Sequence, residues 1–518
     1  MMQILSNIKK LMQRCNQHYS SGPTVTSSDL SLIAVQTRQQ QEDYGFKPRK
    51  DLPAWRFSNQ IDWSADPFSD VNWRYQLHAW RMMDPILLEH EKSPNPQHLN
   101  HCMNILKDWA QYHKTKKTPM SYHDMATGLR ASRIAFFQDQ ARLGLLKLSP
   151  HDKRIIKSLA KLHIRTLLEE GFIANNNHGY FQLFGLKHLS AVNNDRKASL
   201  VADVKMQRLV GQQFTKRGTH KENSPSYHYF TLSRFKKIGL VDTFPGLGFE
   251  EIVRNARKIS PDFVFPDGSL AAIGDTCDSV PKPKPHSSYK EINGIACGYY
   301  AVRSRAEMLF FTGMAHNATH KHADDLSFTY FCDDEHIFID SGKYGYQNDK
   351  WRDYFTSADA HNTIGILNKC IGPKQVLFKG SLLHEGGRSG RKFFVRGTVQ
   401  RPKLFDHTRR IDFCPGNELN IQDYLKPYKD FTFTSSLHLA DHLTPDKTDN
   451  GFKVKLKSGR LICATASNVS NIEIVRGKKE PILGWYSPSY LKMEPISVVR
   501  AIVKDSSKPV TWNINLAV

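Results

Sequence analysis

Cysteine is scarce in this sequence: there are eight in 518 residues, and none forms a CxxC pair. Thiolate zinc sites and thioredoxin-like redox motifs therefore find no support, and a small disulfide scaffold is excluded. No uninterrupted apolar run reaches the roughly 18 residues that a membrane span needs, which excludes an integral membrane protein. The sequence also lacks an internal repeat of fixed length and a low-complexity tract.

The N-terminus lacks the features of a secretory signal. Lys9, Lys10 and Arg14 interrupt its apolar pattern. It has neither an apolar core of about 7–15 residues nor a small-residue cleavage site. The sequence therefore predicts a cytoplasmic protein, with a periplasmic location left open if the natural start differs.

Positive charge is in excess. Lysine and arginine number 72 against 50 acidic residues, a net charge of +22. This indicates an anionic partner such as nucleic acid, an anionic membrane surface or an acidic polysaccharide, although a basic protein without an anionic ligand fits equally well. No zinc-finger spacing or RRM-type aromatic motif supports nucleic-acid binding.

The length of the chain allows two to four domains. The spacing of its apolar residues changes from helical to strand-like along the sequence and so divides the chain into two halves. Residues 1–50 are polar and predict a loosely ordered approach segment, and residues 51–275 predict a helical domain. In that domain Ser149 is a candidate helix cap, and apolar residues follow it at helical spacing. Four tryptophans predict packing between helices, which favours a core over a sugar platform: Trp55, Trp63, Trp73 and Trp80.

Beyond the helical half the pattern changes to a period of about two. A proline-rich stretch predicts a linker over residues 276–290, and residues 291–518 hold short β-rich segments separated by turns such as Asp333-Asp334 and Ser458-Gly459. These features predict an antiparallel β-sandwich or barrel-like domain.

One cluster of histidines and acids is a candidate metal site. His320 and His322 are two residues apart, so an extended backbone would point both imidazoles to the same face. Two imidazoles and a carboxylate suit zinc, and the candidate ligands are His322, Asp340 and His361. Surface histidines or a hydrogen-bonded His–Asp pair explain the same residues. Two further segments, Asn175–Gly179 and His220–His228, fit either helix starts or functional sites.

Taken in order, these segments resemble the heparinase II/III type of polysaccharide lyase over residues 55 to 500. The matching pieces are Asn177-His178-Gly179, Glu222-x-Ser224-Pro225-x-Tyr227-His228, His320-x-His322-Ala323-Asp324, Asp340-Ser341-Gly342-x-Tyr344 and Ala360-His361-Asn362-Thr363. The resemblance implies an incomplete (α/α) toroid followed by an antiparallel β-sandwich. It also implies β-elimination on a uronic-acid-containing polysaccharide, with a glycosaminoglycan or an exopolysaccharide among the possible substrates.

The resemblance also implies roles for individual residues. Asn177 and His178 would neutralise the substrate carboxylate, and Tyr227 would act as base and acid in the syn geometry. In the anti geometry His320 would be the base and Tyr227 the acid, and the sequence leaves this choice open. The family's metal ligands carry over to His322, Asp340 and His361, and zinc suits this set.

Three further residues lie in or near the matched segments and are candidate substrate contacts: Arg352, Tyr344 and His228. Arg352 is favoured because a guanidinium pairs bidentately with carboxylate or sulfate. Two other functions fit the same sequence, a catalytically silent glycan-binding or assembly protein and a metal-dependent hydrolase. The substrate's identity, endo or exo action and the oligomeric state are not encoded in any motif that we recognise.

Overall fold

The computed structural model describes residues 25–57, 60–237, 239–276 and 288–516. Most of the predicted linker, residues 277–287, lies outside the described residues, as do residues 1–24 of the predicted approach segment. The chain divides into two compact units, Met1–Gln212 with Ser233–Glu250 and Gln213–Leu232 with Glu251–Val518. We call them the helical unit and the β unit.

The predicted helical half is confirmed. The α-helices of the described residues are α1 (Arg38–Tyr44), α2 (Val71–His78), α3 (Asp84–Lys92), α4 (Pro96–Tyr112), α5 (Asp124–Arg142), α6 (Pro150–Leu168), α7 (Asn177–Val192), α8 (Arg196–Gln213), α9 (Pro225–Lys237), α10 (Leu240–Thr243), α11 (Phe249–Ile259) and α12 (Lys350–Thr356). Short 3₁₀ turns cover Ser27–Leu30, Arg81–Met83, Ser260–Phe263, Ile295–Cys297 and Ala358–Ala360.

Capping residues set where several of these helices begin. Ser149 accepts a hydrogen bond from the Asp152 backbone in a reciprocal capping box, with Pro150 in the first helical position. Asn95 caps α4 ahead of Pro96, because its side-chain oxygen accepts from the Gln97 backbone amide. The predicted role of Ser149 is confirmed, because its hydroxyl accepts from an amide of the first turn.

Apolar side chains, tryptophan above all, form the core of the helical unit. Trp63, Trp73 and Trp80 are each at most 1% exposed, so their predicted packing role is confirmed. The approach segment differs from expectation, because Val25 and Leu30 are also buried. These apolar residues are few among polar neighbours, so the overall polar composition of residues 1–50 does not predict that they are buried.

Two buried histidines of the helical unit have strongly lowered pKa values. Burial, followed by the positive charge of Arg130, lowers the pKa of His78 and of His163 to about 3. Arg130 Nε donates to His163 Nε2 at 3.1 Å, which needs an unprotonated ring nitrogen. An unfolded imidazole titrates near 6.5. Below that pH the unfolded chain binds protons that the folded chain does not.

We expect the free energy of unfolding to fall as pH drops from about 7 to about 5, with a slope that approaches about 1.4 kcal/mol per pH unit for each such histidine below the unfolded pKa. This contribution is complete above the unfolded pKa and decreases towards the folded one. Urea unfolding across the range measures it, and His163→Gln should lessen the slope. His384→Gln, at an exposed strand position, is the control. A constant free energy over this range would contradict the prediction.

The predicted antiparallel half is also confirmed. Its strands are β1 (Lys290–Gly294), β2 (Tyr299–Arg303), β3 (Glu307–Thr312), β4 (Met314–Ala315), β5 (Phe328–Cys332), β6 (Glu335–Phe338), β7 (Ile364–Ile366), β8 (Gly380–Ser381), β9 (Leu383–Ser389), β10 (Lys392–Arg401), β11 (Phe405–Cys414), β12 (Glu418–Pro427), β13 (Phe433–His438), β14 (Asp446–Thr448), β15 (Gly451–Lys455), β16 (Leu461–Ser467), β17 (Val469–Arg476), β18 (Lys478–Lys479), β19 (Ile482–Leu483), β20 (Trp485–Tyr486), β21 (Glu494–Pro495), β22 (Ser497–Val503) and β23 (Val510–Asn515).

Three larger sheets of antiparallel neighbours build the β unit. Their strand orders are β1-β2-β3-β5-β6, β14-β15-β16-β23-β12-β11-β10-β9 and β17-β22-β13-β7. Burial alternates residue by residue along β11, as a strand with one face on a core requires. One apolar cluster draws on all three sheets, through residues such as Leu309, Ile411 and Val499.

The division into units differs from the predicted boundary near residue 275. Residues 213–232 and 251–275 belong to the β unit, although most of them lie in or between helices. Phe263, Phe265 and Ile273 are the reason, because they pack into one apolar cluster with strand residues such as Tyr299 and Phe310. Within the described residues, no helix is both long and apolar enough to cross a membrane.

Candidate active site

Tyr227 and His320 stack face to face in the β unit. Their ring centroids lie 3.5 Å apart with an interplanar angle of 16°. Tyr227 lies in the first turn of α9, just after Ser224-Pro225, and His320 lies on the loop between β4 and β5. Two predicted catalytic residues, 93 positions apart in the sequence, thus meet in one unit.

A carboxylate faces each ring nitrogen of His320. Nδ1 lies 2.9 Å from Oδ2 of Asp275, and Nε2 lies 3.5 Å from Oε2 of Glu222. Burial raises the pKa of Asp275, but hydrogen bonds from His320, His322 and Arg352 outweigh it, so the net pKa is below its ordinary value. Burial raises the pKa of Glu222. One carboxyl group therefore lies at each ring nitrogen of His320: Asp275, whose pKa is lowered, and Glu222, whose pKa is raised.

The backbone at His320 is left-handed, with φ of 54°. Its carbonyl accepts a hydrogen bond from the Asp275 amide at 3.1 Å. Gly274 makes this approach possible, since a Cβ at that position would lie 2.3 Å from the His320 carbonyl oxygen. Asp275 is thus joined to His320 by both backbone and side chain, and sequence reasoning did not identify it because no local motif surrounds it.

Asn223 fixes the loop that presents His320. Its buried amide donates to the carbonyls of Asn317 and Thr319 at 2.8 and 3.0 Å, and its oxygen accepts from the His316 amide at 3.0 Å. Its φ of 54° is one that asparagine tolerates better than most residues. Sequence reasoning matched the residues on both sides of Asn223 and left this one unassigned.

Asn223→Ala should destabilise the protein by about 2–4 kcal/mol and lower kcat as well, because three backbone groups lose their partner. Asn468→Ala is the matched control. Asn468 has the same left-handed backbone, with φ of 59°, and donates to two carbonyls at 2.7 and 2.9 Å in a remote turn. It should lose stability but retain kcat. Urea unfolding and initial rates measure both, and equal kcat losses in the two variants would contradict the assigned role.

Tyr346 joins the pair, although sequence reasoning named Tyr344 instead. The hydroxyl of Tyr346 lies 2.7 Å from that of Tyr227 and 3.4 Å from Nδ1 of His320. Tyr344 is 8% exposed and stacks on Phe355 at 5.2 Å, so the structure places it in the interior, away from the hydroxyl pair.

Two cations flank the Tyr346 ring. The Lys343 ammonium lies 4.7 Å and the Arg352 guanidinium 5.3 Å from its centroid. Arg352 also pairs with Asp275 at 2.8 Å and donates to the Lys343 carbonyl at 2.9 Å. The structure thus places Arg352, a predicted substrate contact, beside the paired rings, with one guanidinium nitrogen already bound to protein.

His228 lies in the interior. It is 2% exposed, and its Nε2 lies 3.1 Å from the Ala256 carbonyl and 3.0 Å from the Ser260 hydroxyl. Burial lowers its pKa to about 4. These contacts favour a role in packing α9 over the predicted contact with substrate.

The remaining predicted catalytic residues belong to the helical unit. Asn177 is the exposed first residue of α7, and Asn176 before it is the residue that caps the helix. Nδ1 of His178 lies 3.1 Å from both carboxylate oxygens of Asp124. One group of side chains in the described part of the chain has potential metal-ligating atoms that all lie within 4.8 Å of one another. It consists of His123, Asp124 and His178.

The predicted metal ligands are buried close together in the β unit. The rings of His322 and His361 lie 5.4 Å apart. Nδ1 of His322 and Nε2 of His361 are buried without a hydrogen-bond partner. Oδ2 of Asp340 lies 2.7 Å from Nδ1 of His361, and Asp275 occupies Nε2 of His322 at 3.0 Å.

Two buried imidazole nitrogens without partners are donors of the kind that a divalent ion takes, although the ligating atoms of His322, Asp340 and His361 do not all lie within 4.8 Å of one another. Each imidazole has a carboxylate on one nitrogen, which fixes its orientation, and an unpaired nitrogen on the other side. Asp340, the third predicted ligand, here orients His361. Burial lowers the pKa of His361, but the charge of Asp340 outweighs it and the net pKa is raised.

Comparisons with known proteins agree with the motifs. The heparinase II/III N-terminal family model matches residues 13–293, and the heparinase II/III-like C-terminal model matches residues 290–513. The comparison with curated proteins found no match.

Solved structures share the fold at low identity. A heparinase III with methylated lysines has 16% identity over 99% of this chain and 90% of its own, with a TM-score of 0.70. Heparan sulfate lyase HepC from Pedobacter heparinus has 15% identity over 98% and 88%, also with a TM-score of 0.70. A chondroitin AC lyase from Streptomyces coelicolor A3 has 7% identity over 96% and 80%, with a TM-score of 0.52. The two family models span nearly the whole chain, which therefore belongs to the heparinase II/III family of polysaccharide lyases.

Proposed function

We propose that this lyase cleaves a uronic-acid-containing acidic polysaccharide, or oligosaccharides from it, by β-elimination, and that it leaves a 4,5-unsaturated uronate end. The observation that carries the proposal is the Tyr227 phenol stacked on His320, with its hydroxyl 2.7 Å from a second phenol. The net charge of +22 is consistent with an anionic substrate.

The chemistry needs the substrate carboxylate neutralised first. The C5 proton beside it is weakly acidic, and the charge that develops when the proton leaves must be stabilised by hydrogen bonds. Asn177 and His178 would supply these donors. Asp124 accepts from Nδ1 of His178 and orients the ring, and Nε2 would donate to the substrate carboxylate in the doubly protonated imidazolium form.

Tyr227 is the better candidate for the base. Asp275 occupies Nδ1 of His320 at 2.9 Å, and Glu222 lies 3.5 Å from Nε2, so a substrate would compete with Glu222 for that nitrogen. In the syn geometry the Tyr227 oxygen takes the C5 proton and then gives it to the departing O4. His320 would support the ring of Tyr227 from its face and hold it in place.

A zinc-like ion would be held by His322 and His361, with Asp340 beside them. When bound it supplies a cross-link between the two segments that carry these histidines, and it is not needed to activate water. His320 lies two residues from His322, so a held His322 keeps the catalytic loop in register.

Metal analysis of the purified protein should find about one ion per chain, and His361→Ala should lose it together with stability. Mass spectrometry of the intact protein and a thermal melt with added chelator measure the two effects. His384→Ala, at an exposed strand position, is the control and should retain both. Metal-free wild type with full activity would contradict the proposal.

A panel of uronate polysaccharides tests the function. The protein should raise the ultraviolet absorbance of an unsaturated uronate with at least one of them, and product mass analysis then identifies the substrate and distinguishes endo from exo action. Cleavage without that absorbance would instead indicate a hydrolase. Binding without cleavage would indicate a catalytically silent glycan-binding protein.

A further inference from the structure

Two tyrosine hydroxyls share one hydrogen bond at the candidate site, and the described contacts give them different roles. Tyr227 and Tyr346 approach to 2.7 Å, and either hydroxyl could be the donor by distance alone. Tyr227 comes from α9 and Tyr346 from the loop after β6, so the fold brings the two phenols together across 119 positions of sequence.

The surroundings indicate which hydroxyl keeps its proton. Burial, and then the hydrogen bond with Tyr227, raises the pKa of Tyr346. Tyr346 is thus held in its neutral form, in which its hydroxyl can donate to the oxygen of Tyr227 at 2.7 Å. Lys343 places a positive charge 4.7 Å from the Tyr346 ring and 5.9 Å from the Tyr227 ring, which favours negative charge on the pair.

We infer that Tyr346 is a second catalytic phenol, whose hydroxyl stabilises the Tyr227 oxygen while that oxygen is charged. This inference rests on the proposed function. The Tyr227 phenolate takes the proton from C5, the C4=C5 bond forms as the C4–O4 bond breaks, and the departing O4 takes the same proton back. Tyr346 keeps its own proton throughout, so the step needs no further reactant.

Tyr346→Phe tests this assignment, because it removes one oxygen and leaves the ring beside Lys343 and Arg352. We expect kcat to fall about 10- to 100-fold with KM changed less than about twofold, as for a hydrogen bond to a charged group made mainly in the transition state. The matched control is Tyr428→Phe. That tyrosine is 47% exposed, against 49% for Tyr346, and its hydroxyl donates at 2.7 Å to Asp406. It should retain wild-type kcat.

A double variant separates this role from a structural one. In the Tyr227→Phe background, adding Tyr346→Phe should leave the residual rate unchanged, because no charged oxygen remains to be stabilised. Multiplied losses would overturn the inference, and so would a Tyr346→Phe variant with wild-type kcat.

If wild type releases no unsaturated product from any uronate polysaccharide, the proposed function fails. The interaction between the Tyr227 and Tyr346 hydroxyls can still be measured through stability. Urea unfolding of the two single variants and the double variant then reports the coupling between the hydroxyls. The double variant should lose less than the sum of the single losses, and an additive result would overturn the pairing.

Discussion

Tyr227→Phe is expected to lower kcat by about 10²- to 10⁴-fold, the effect of removing a positioned proton-transfer group. The substitution removes one oxygen and leaves the ring that stacks on His320 at 3.5 Å. Because this stacking survives, KM and the thermal midpoint should change little. Initial rates of unsaturated-product formation measure the effect directly.

The control lies two residues along the same helix. Tyr229 donates its hydroxyl to the Ser260 carbonyl at 2.7 Å, in the packing between α9 and the segment after α11. Tyr229→Phe should therefore lower the midpoint of unfolding and leave kcat near the wild-type value. Near-normal turnover in Tyr227→Phe would remove Tyr227 from the mechanism, and equal losses in both variants would indicate a general effect on the helix.

How much of this site the sequence can predict depends on backbone conformation as well as on motifs. An extended segment would point Tyr344 and Tyr346 to the same face. The backbone at Tyr344 is left-handed instead, with φ of 61°, and it turns Tyr344 inwards and leaves Tyr346 49% exposed. The matched motif includes Tyr344 in this loop, and the sequence does not show that Tyr346 is the tyrosine whose hydroxyl reaches Tyr227.

Long-range partners were harder to predict than elements. Period and capping residues placed the helices and strands correctly, since these are local properties. Asp275 contacts His320, His322 and Arg352, which lie 45, 47 and 77 positions away in the sequence. The hydrophobic pattern predicts only that residue 275 is the last residue of the helical domain. The same holds for Phe263, whose neighbours in sequence are helical but whose packing partners are strands. A local pattern does not show which core a side chain joins.

The largest loss of stability is expected from Asp423→Ala. Arg409 and Asp423 face each other on β11 and β12, with nitrogen–oxygen distances of 2.7 and 2.9 Å, and both are completely buried. Arg409 also donates to the carbonyls of Leu326 and Asn362, next to His361. Burial raises the pKa of Asp423, but the charge of Arg409 outweighs it and the net pKa is lowered.

Removing the carboxylate leaves a buried guanidinium without its counter-charge, which costs about 3–5 kcal/mol. Asp412→Ala is the control on β11, the strand of Arg409, since Arg410 and Asp412 form a pair at 2.7 Å that is about a third exposed. Screening by water limits that pair to about 0–1 kcal/mol. Urea unfolding at neutral pH compares the two. Because Arg409 also supports the segment that carries His361, Asp423→Ala should lose activity before it unfolds, whereas Asp412→Ala should keep it. Equal losses of stability would show that burial of the pair, and its link to the site, contribute nothing.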